Sequence, residues 1–271
     1  MNNSLNKLIY GNCLDYLPEI EKNSISLVFT DPPYIRALAD LYKDWNGRNM
    51  DFNVYGELFL KVLKPAGQVA IFGDLPTTTA IMNGFSDYFE FRYYYVWQKS
   101  NGQPISKYQP ISNTEIITVW KLKGTKTGDL AYNPIFSKGK PYTKKHNAGN
   151  ITRKSDKTYT TRNNGFRNPT EIIKAPSKDN MKKSERYDHP TQKPLSLAKY
   201  VISTLSEPGD IILDPFMGSG SIPLSALEIN RKFIGIEKNP KYYKIAKSRL
   251  EKYNNQQSIF NEKPKLTTVN L

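Results

Sequence analysis

Early in the chain, an apolar run ends in four residues that combine a carboxylate, two prolines and an aromatic ring. The run Ser26–Thr30 leads directly into Asp31, Pro32, Pro33 and Tyr34. An amino group on an aromatic ring is a poor nucleophile because its lone pair is delocalised. Asp31 can accept one amino hydrogen, and the carbonyl of Pro32, presented by a restricted backbone, can accept the other. Tyr34 offers a face for stacking. The tetrapeptide predicts chemistry on an aromatic amino group, with a solvent-facing Pro-Pro turn as the alternative.

A second apolar run, near the other end of the chain, is followed by a glycine-rich turn. After Ile211–Asp214, Gly218 and Gly220 allow a backbone to approach a ligand closely. A dinucleotide fingerprint would need a third glycine where this chain has Pro223. Glu237 ends the next apolar run, where an acidic side chain can bind both ribose hydroxyls of a nucleoside cofactor. The turn therefore predicts a nucleoside site. The alternative is that Glu237 is an ordinary surface carboxylate.

The glycine turn follows the tetrapeptide, the reverse of the order in a simple doubly wound protein. If the sheet is circularly permuted, the strand Lys7–Tyr10 lies beside the strand that ends in Glu237. Asn12 and Cys13 would then lie near the adenine of the cofactor.

A third polar motif, His189–Pro194, precedes the glycine-turn strand by one amphipathic helix. Its Thr191 and Lys193 are suited to bind a carboxylate. A turn that starts the helix is the alternative.

Short apolar runs alternate with amphipathic stretches at both ends of the chain, which is typical of parallel strands covered by helices. Ligands of open α/β sheets bind at the carboxyl ends of strands, where the tetrapeptide and the glycine turn lie. The sequence therefore predicts a doubly wound α/β fold. We predict strands at Lys7–Tyr10, Ser26–Thr30, Gln68–Phe72, Tyr93–Gln98, Ile116–Trp120, Ile211–Asp214 and Lys232–Glu237, and helices at Asp51–Leu63, Leu195–Leu205, Ser221–Ile229 and Pro240–Tyr253.

The composition favours a basic protein with a polyanionic partner. The 271 residues include 39 Lys and Arg against 25 Asp and Glu, a formal net charge of +14, so nucleic acid is the first candidate. No apolar run approaches the roughly 20 residues that span a bilayer, and the first residues lack the apolar core of a signal peptide. We expect a cytoplasmic protein without a membrane partner. One cysteine, Cys13, and two histidines make a disulfide or a metal site unexpected.

The segment 121–188 interrupts the alternation of strands and helices. It carries 17 Lys and Arg against 6 Asp and Glu, with aromatic residues between the charges. This suits contacts to phosphates and bases, although a solvated linker is the alternative. We predict a DNA-recognition insert at 121–186, between a catalytic half at 1–120 and a cofactor half at 187–253, with a flexible tail at 254–271. The predicted DNA contacts are Arg153, Lys154, Lys157, Arg162 and Arg167.

The ordered set of motifs resembles the β class of DNA amino-methyltransferases of bacteria and their phages, which use S-adenosylmethionine (SAM). The resemblance covers roughly residues 7–120 and 186–253, and the order is far more specific than any single motif. It implies a circularly permuted, Rossmann-like methyltransferase sheet. It also implies that Asp31, Pro32, Pro33 and Tyr34 form the catalytic loop and that 121–186 recognises the target. The implied SAM-binding residues are Asn12, Cys13, Asp31, Thr191, Lys193, Asp214, Phe216, Gly218, Gly220 and Glu237, with Thr191 and Lys193 at the carboxylate and Glu237 at the ribose.

One position departs from the family. Many members have Asp where this chain has Asn12, whose carbonyl can still accept a hydrogen bond from the adenine of SAM. We expect a change in SAM affinity at most.

The resemblance favours the N6 amino group of adenine, in a base flipped out of double-stranded DNA, as the target. Cytosine-specific members more often carry Ser at the position of Asp31. N4 of cytosine stays open as an alternative, and RNA or protein methylation is a weaker one. A non-catalytic binding module would predict damage to Asp31, Tyr34 or the glycine turn, and these are intact. A cognate restriction endonuclease and a homodimer are further partners that the resemblance allows.

Overall fold

The computed structural model describes residues 6–35, 50–103, 107–147, 158–257 and 267–269. The chain divides into a main unit, Met1–Asn133 with Glu171–Leu271, and a smaller unit, Pro134–Thr170. The helices are α1 (Cys13–Tyr16), α2 (Phe52–Val62), α3 (Leu75–Phe85), α4 (Leu195–Leu205), α5 (Ser221–Glu228) and α6 (Pro240–Gln257). The strands are β1 (Asn6–Tyr10), β2 (Ile25–Thr30), β3 (Leu63–Gly73), β4 (Phe89–Gln103), β5 (Ser112–Leu122), β6 (Ser137–Lys138), β7 (Tyr142–Asn147), β8 (Thr158–Asn163), β9 (Phe166–Arg167), β10 (Ile172–Ala175), β11 (Ile211–Asp214), β12 (Lys232–Glu237) and β13 (Thr267–Val269).

The main unit is built on a mostly parallel sheet. Within the described ranges it has nine strands in the order β10-β4-β5-β3-β2-β11-β12-β1-β13. Strand β5 is antiparallel to both β3 and β4, and the other pairings are parallel. The first strand therefore lies beside the strand that ends in Glu237, as the order of the motifs predicts. The predicted α/β fold is confirmed.

Helices cover both faces of this sheet, so its central strands are buried on both sides. Every residue of β2 is buried, and its side chains alternate between two apolar cores. Leu27 and Phe29 join the core under α4, α5 and α6, whereas Val28 packs in the core with α1, α2 and α3. The seven predicted strands and four predicted helices are all present.

Helix α3 was not predicted, because its sequence is a weak helix former. It contains three consecutive threonines and an Asn-Gly pair. The helix nevertheless begins cleanly, since the side chain of Asp74 accepts a hydrogen bond from the backbone of Thr77 and Pro76 occupies the first turn. Burial of Ile81 and Phe85 stabilises it against the sheet.

The smaller unit, Pro134–Thr170, spans only part of the segment 121–186 in which the insert is predicted. Gln68 donates to the carbonyl of Ala131 (2.9 Å), and the amide of Asn133 donates to the carbonyl of Thr204 (2.8 Å), so these residues belong to the main unit. Strand β10 extends the main sheet beside β4. Within the segment predicted as a tail, α6 continues to Gln257 and β13 pairs with β1.

In its described residues, the smaller unit contains two short antiparallel strand pairs, β6 with β9 and β7 with β8. Most of these described residues are exposed. None of the described helices is long and apolar enough to cross a membrane.

Candidate active site

The motifs of the two ends of the sequence meet in one cleft of about 690 Å³ in the main unit. The cleft lies at the carboxyl ends of β1, β2, β11 and β12, where an open α/β sheet binds its ligands. Of the predicted catalytic and SAM-binding residues, those that line it are Asn12, Cys13, Asp31, Pro32, Pro33, Tyr34, Thr191, Lys193, Asp214, Phe216, Gly218 and Glu237.

Asp31 lies in a cluster of charged side chains from four parts of the chain. Its Oδ2 forms a salt bridge with Nζ of Lys193, and its Oδ1 accepts a hydrogen bond from the hydroxyl of Tyr34 at 3.0 Å. The same Tyr34 hydroxyl lies 3.1 Å from Oε2 of Glu115, to which Lys193 Nζ is 3.4 Å distant. Lys99 pairs with the other oxygen of Glu115 at 2.6 Å. The cluster therefore contains two carboxylates and two ammonium groups.

The ionisation of this cluster follows from burial and from the neighbouring charges. Burial raises the pKa of Asp31, with Glu115 adding to the effect and Lys193 opposing it. Burial also acts to raise the pKa of Glu115, but Lys193 and Lys99 outweigh it and lower that pKa. The pKa of Lys193 is raised, because Asp31 and Glu115 outweigh the effect of its burial. Asp31 is therefore the carboxylate of the pair that binds a proton more readily.

The side chain of Lys193 lies between two carboxylates of the protein. Its side chain is only 7% exposed and contacts Asp31 and Glu115, where the prediction paired it with the carboxylate of SAM. Its ammonium group also lies 4.9 Å from the ring centre of Phe72. Thr191, by contrast, is exposed to the cleft. The two residues of the predicted carboxylate site therefore lie in different environments.

Glu237 is held by backbone amides. Its Oε2 accepts from the amide of Gly218 at 2.9 Å and its Oε1 from the amide of Asn239 at 2.7 Å. Burial raises its pKa, and these amide bonds oppose the rise. Each carboxylate oxygen keeps a further lone pair for a ligand hydroxyl.

The two glycines of the turn have different functions. Gly218 has φ +50°, and a Cβ there would lie 2.7 Å from Nε2 of His189, so this cleft wall accepts only glycine. Gly220, with φ +75°, does not line the cleft. A Cβ on Gly220 would lie 3.0 Å from that of Ala246, so this glycine allows α5 to pack against α6.

Three other predicted cofactor residues have partners within the protein. The side chain of Asn12 accepts from the amide of Leu14 at 3.3 Å and so caps α1. The thiol of Cys13 lies 3.8 Å from the hydroxyl of Tyr55, and burial raises its pKa to about 11, which keeps it protonated. Asp214 accepts from the hydroxyl of Thr30 at 2.7 Å, and burial raises its pKa to about 8.

Sequence reasoning missed Glu115, Lys99 and the pair of rings beside the turn. His189 lies edge-on to Tyr242, with ring centres 4.4 Å apart, and burial lowers the pKa of His189 to about 3, so its ring is neutral. The available signal for Glu115 and Lys99 was their position at the ends of two predicted apolar strands. Placing the two residues side by side requires the antiparallel register of β4 and β5, in which Trp97 pairs with Glu115.

The predicted DNA contacts are only partly described. Arg153, Lys154 and Lys157 lie outside the described residues. Arg162 is exposed on β8. Arg167 binds within its own unit, because its guanidinium donates to Asn163 Oδ1 at 2.6 Å and lies 4.8 Å from the ring centre of Tyr142. These contacts link Arg167 to the turn before β9.

Known proteins resemble the chain in sequence and in fold. The type II methyltransferase M2.LlaDCHI of Lactococcus lactis subsp. cremoris is 28% identical over 267 residues, which is 90% of this chain and 89% of that protein. The crystal structure of the M1.HpyAVI–SAM complex superposes with a TM-score of 0.61 at 22% identity, covering 90% of this chain and 99% of that one. The cytosine-N4-specific PvuII DNA methyltransferase gives a TM-score of 0.59 at 19% identity, over 90% and 86% of the chains.

Residues 25–248 match the DNA methylase family of N6 and N4 methyltransferases. The match spans most of the 271 residues and includes both ends of the cleft, from Asp31 to Glu237. The protein therefore belongs to the DNA methylase family and is a DNA methyltransferase.

Proposed function

We propose that the protein transfers a methyl group from SAM to the N6 amino group of adenine in DNA. The observation that supports this most directly is the single cleft, in which the tetrapeptide at Asp31 and the carboxylate of Glu237 line the same space. A loop that can activate an amino group and a site that can hold a nucleoside must face each other for the transfer to occur.

The residues of the cleft fit SAM. The volume of about 690 Å³ is in the usual range for small-ligand sites. Glu237 has lone pairs for the two ribose hydroxyls, and Gly218 keeps the adjoining wall free of a side chain. Thr191 is exposed at the cleft for the carboxylate end of the ligand. When bound, SAM supplies a methyl group on a positively charged sulfur.

Asp31 and Pro32 act on the target amino group. Asp31 accepts one amino hydrogen and the carbonyl of Pro32 accepts the other, which turns the nitrogen lone pair towards the methyl group. As the N–C bond forms and the C–S bond breaks, the nitrogen must lose one proton, and Asp31 accepts it. The raised pKa of Asp31, caused mainly by burial, favours this role.

The proposal also names the target base. Asp31 at the first position of the tetrapeptide favours adenine, whereas the likeness to the cytosine-N4-specific PvuII enzyme keeps cytosine as the second candidate. Unmodified DNA is incubated with the protein and methyl-labelled SAM, and its nucleosides are identified by mass spectrometry. We expect N6-methyladenine. N4-methylcytosine alone would show that the choice of base is wrong while the reaction is right.

We further propose that the smaller unit contacts DNA. Residues 134–170 contain nine Lys and Arg and one acidic residue. Arg162 is exposed, whereas Arg167 is bound internally. Replacing Arg162 with Ala should flatten the slope of log affinity against log salt by about 0.9 if the residue contacts one phosphate. Loss of affinity without a change of slope would place Arg162 outside the phosphate contacts.

The cluster Arg153, Lys154 and Lys157 provides the stronger test of the same proposal. Neutralising all three should weaken binding to every DNA sequence and leave SAM binding unchanged. If the segment is a solvated linker, the slope of log affinity against log salt should not change.

A further inference from the structure

Glu115 is a half-buried carboxylate beside the catalytic loop, and the reaction described above does not use it. It lies on β5, and its side chain is only 17% exposed. Lys99 lies 2.6 Å from Oε1, while Oε2 lies 3.1 Å from the Tyr34 hydroxyl and 3.4 Å from Lys193. A charge in this position requires compensation, and the two lysines provide it.

The two donors at Oε2 of Glu115 are the same two that contact Asp31. Tyr34 has one hydroxyl proton and two carboxylate acceptors, at 3.0 Å and 3.1 Å, so it can serve only one of them well at any time. Lys193 contacts both carboxylates. A carboxylate that already holds two strong donors accepts another hydrogen less readily. Glu115 therefore weakens the interactions that Tyr34 and Lys193 make with Asp31.

The geometry points to Glu115 as a positioning residue that shares Tyr34 and Lys193 with Asp31 and so keeps the Asp31 carboxylate able to accept a hydrogen from the target amino group. This inference rests on the proposed function, in which Asp31 accepts that hydrogen. Lys99 has a supporting role, because it balances the second carboxylate. The two carboxylates and two ammonium groups then sum to zero charge.

The inference predicts how the pH dependence responds to Glu115→Gln. The substitution removes a like charge from the vicinity of Asp31, returns the Tyr34 proton to Asp31 and leaves Lys193 with one carboxylate. All three changes lower the pKa of Asp31. In the part of the chain that the structure describes, the titratable groups around Asp31 are Tyr34 in its own loop, Lys193 before α4, Glu115 on β5, Lys99 on β4 behind Glu115, and Asp214 at the end of β11.

The test is the single-turnover rate of methyl transfer as a function of pH, at saturating SAM and DNA. For Glu115→Gln we expect the acid limb to move to lower pH and the plateau rate to fall by about tenfold, a fraction of what the proton acceptor itself contributes. SAM affinity should stay within a few-fold of wild type. Glu90→Gln is the matched control, since Glu90 on β4 also pairs with a lysine, Lys121, but lies away from the cleft.

The conservative variant Glu115→Asp keeps the negative charge but shortens the side chain. It also tests the inference if the Gln variant does not fold. It keeps the charge, so the acid limb should stay near its wild-type position, while the shorter side chain lowers the plateau. An unchanged profile in Glu115→Gln, or a limb that moves equally in both variants, would overturn the inference. Absence of methyl transfer by the wild-type protein would instead overturn the proposed function.

Discussion

Two acidic side chains at the carboxyl ends of the sheet, Asp31 after β2 and Glu237 in β12, are held in different ways. Asp31 is bound by the side chains of Tyr34 and Lys193, the second of which is 162 residues away. Glu237 is bound by the backbone amides of Gly218 and Asn239. Burial raises the pKa of both carboxyls. The position of the Asp31 carboxylate is thus set by side chains, and that of the Glu237 carboxylate by the backbone.

The difference matters for function. A carboxylate that must gain and lose a hydrogen during a reaction has to respond to its surroundings, and buried charged side chains provide a strong and variable field. A carboxylate that only holds a ligand requires a fixed geometry, which backbone amides provide. Substitutions around Asp31 should therefore change turnover, and substitutions at Glu237 should change SAM affinity.

The largest expected effect is that of Asp31→Ala. It should lower the single-turnover rate by about 100-fold or more, the usual contribution of a positioned proton acceptor. SAM and DNA affinity should change by only a few-fold, because the fold keeps Glu115 as a partner for Lys193. Methyl incorporation into DNA and calorimetric titration measure the two quantities. Asp87→Ala, at an exposed carboxylate before β4, is the control. Retention of more than about a tenth of the wild-type rate would contradict the role of Asp31.

Lys193→Met distinguishes the arrangement in the structure from the SAM-carboxylate role that the resemblance implied. Because Lys193 is buried between two carboxylates, its loss should lower the free energy of unfolding by about 3 kcal/mol, as for other broken buried ion pairs. Turnover at saturating SAM should fall, with SAM affinity within a few-fold. Urea unfolding and calorimetry provide the readouts.

Thr191→Val is the companion variant, since Thr191 is exposed at the cleft. It should weaken SAM binding and leave stability unchanged. If Lys193→Met instead weakens SAM binding while stability and saturated turnover are unchanged, the sequence-based interpretation of Lys193 is right.

The same comparison explains how much of the site the sequence could predict. The surroundings of Glu237 follow from local spacing, because the glycine turn and the next strand are neighbours in the chain. The loop at Asp31 was also predicted, since a strand leads directly into it. The side chains that bind Asp31 were not predicted, because they depend on which distant elements become neighbours.

Glu115 shows why distant neighbours were missed. Its strand, β5, was predicted, but periodicity gives no information on its antiparallel insertion between β3 and β4. Without that register, neither Glu115 nor Lys99 could be placed beside Asp31. The place of β10 could not be predicted for a related reason, since this strand belongs to the main sheet only through its long-range pairing with β4.

Glu237→Ala tests the half of the cleft that the backbone builds. It should weaken SAM binding by about 1.5–3 kcal/mol, the usual scale for hydrogen bonds to a charged group. Turnover at saturating SAM should change little, because the environment of Asp31 is intact. Calorimetric titration measures the affinity. Unchanged SAM affinity would return Glu237 to the role of a surface carboxylate.

Tyr34→Phe has the smallest expected effect, and it tests the surroundings of Asp31 most specifically. The sequence suggested that the ring acts by stacking on the target base. The structure gives the hydroxyl two carboxylate acceptors, so its removal should cost about 1 kcal/mol, or about fivefold in rate. Tyr34→Ala should lose a further 1–3 kcal/mol, roughly the value of one stacked base. Equal damage by Phe and Ala would exclude stacking.

The direction of the pH shift then separates the hydroxyl of Tyr34 from the carboxylate of Glu115. The Tyr34 hydrogen bond lowers the pKa of Asp31, so its loss in Tyr34→Phe should move the acid limb of the rate to higher pH. Loss of the Glu115 charge should move the same limb to lower pH, because Glu115 raises that pKa. A purely structural defect would lower the rate in both variants without opposite shifts. Two single substitutions on either side of one hydrogen-bonded cluster thus test whether the field at Asp31 is set by its side-chain neighbours.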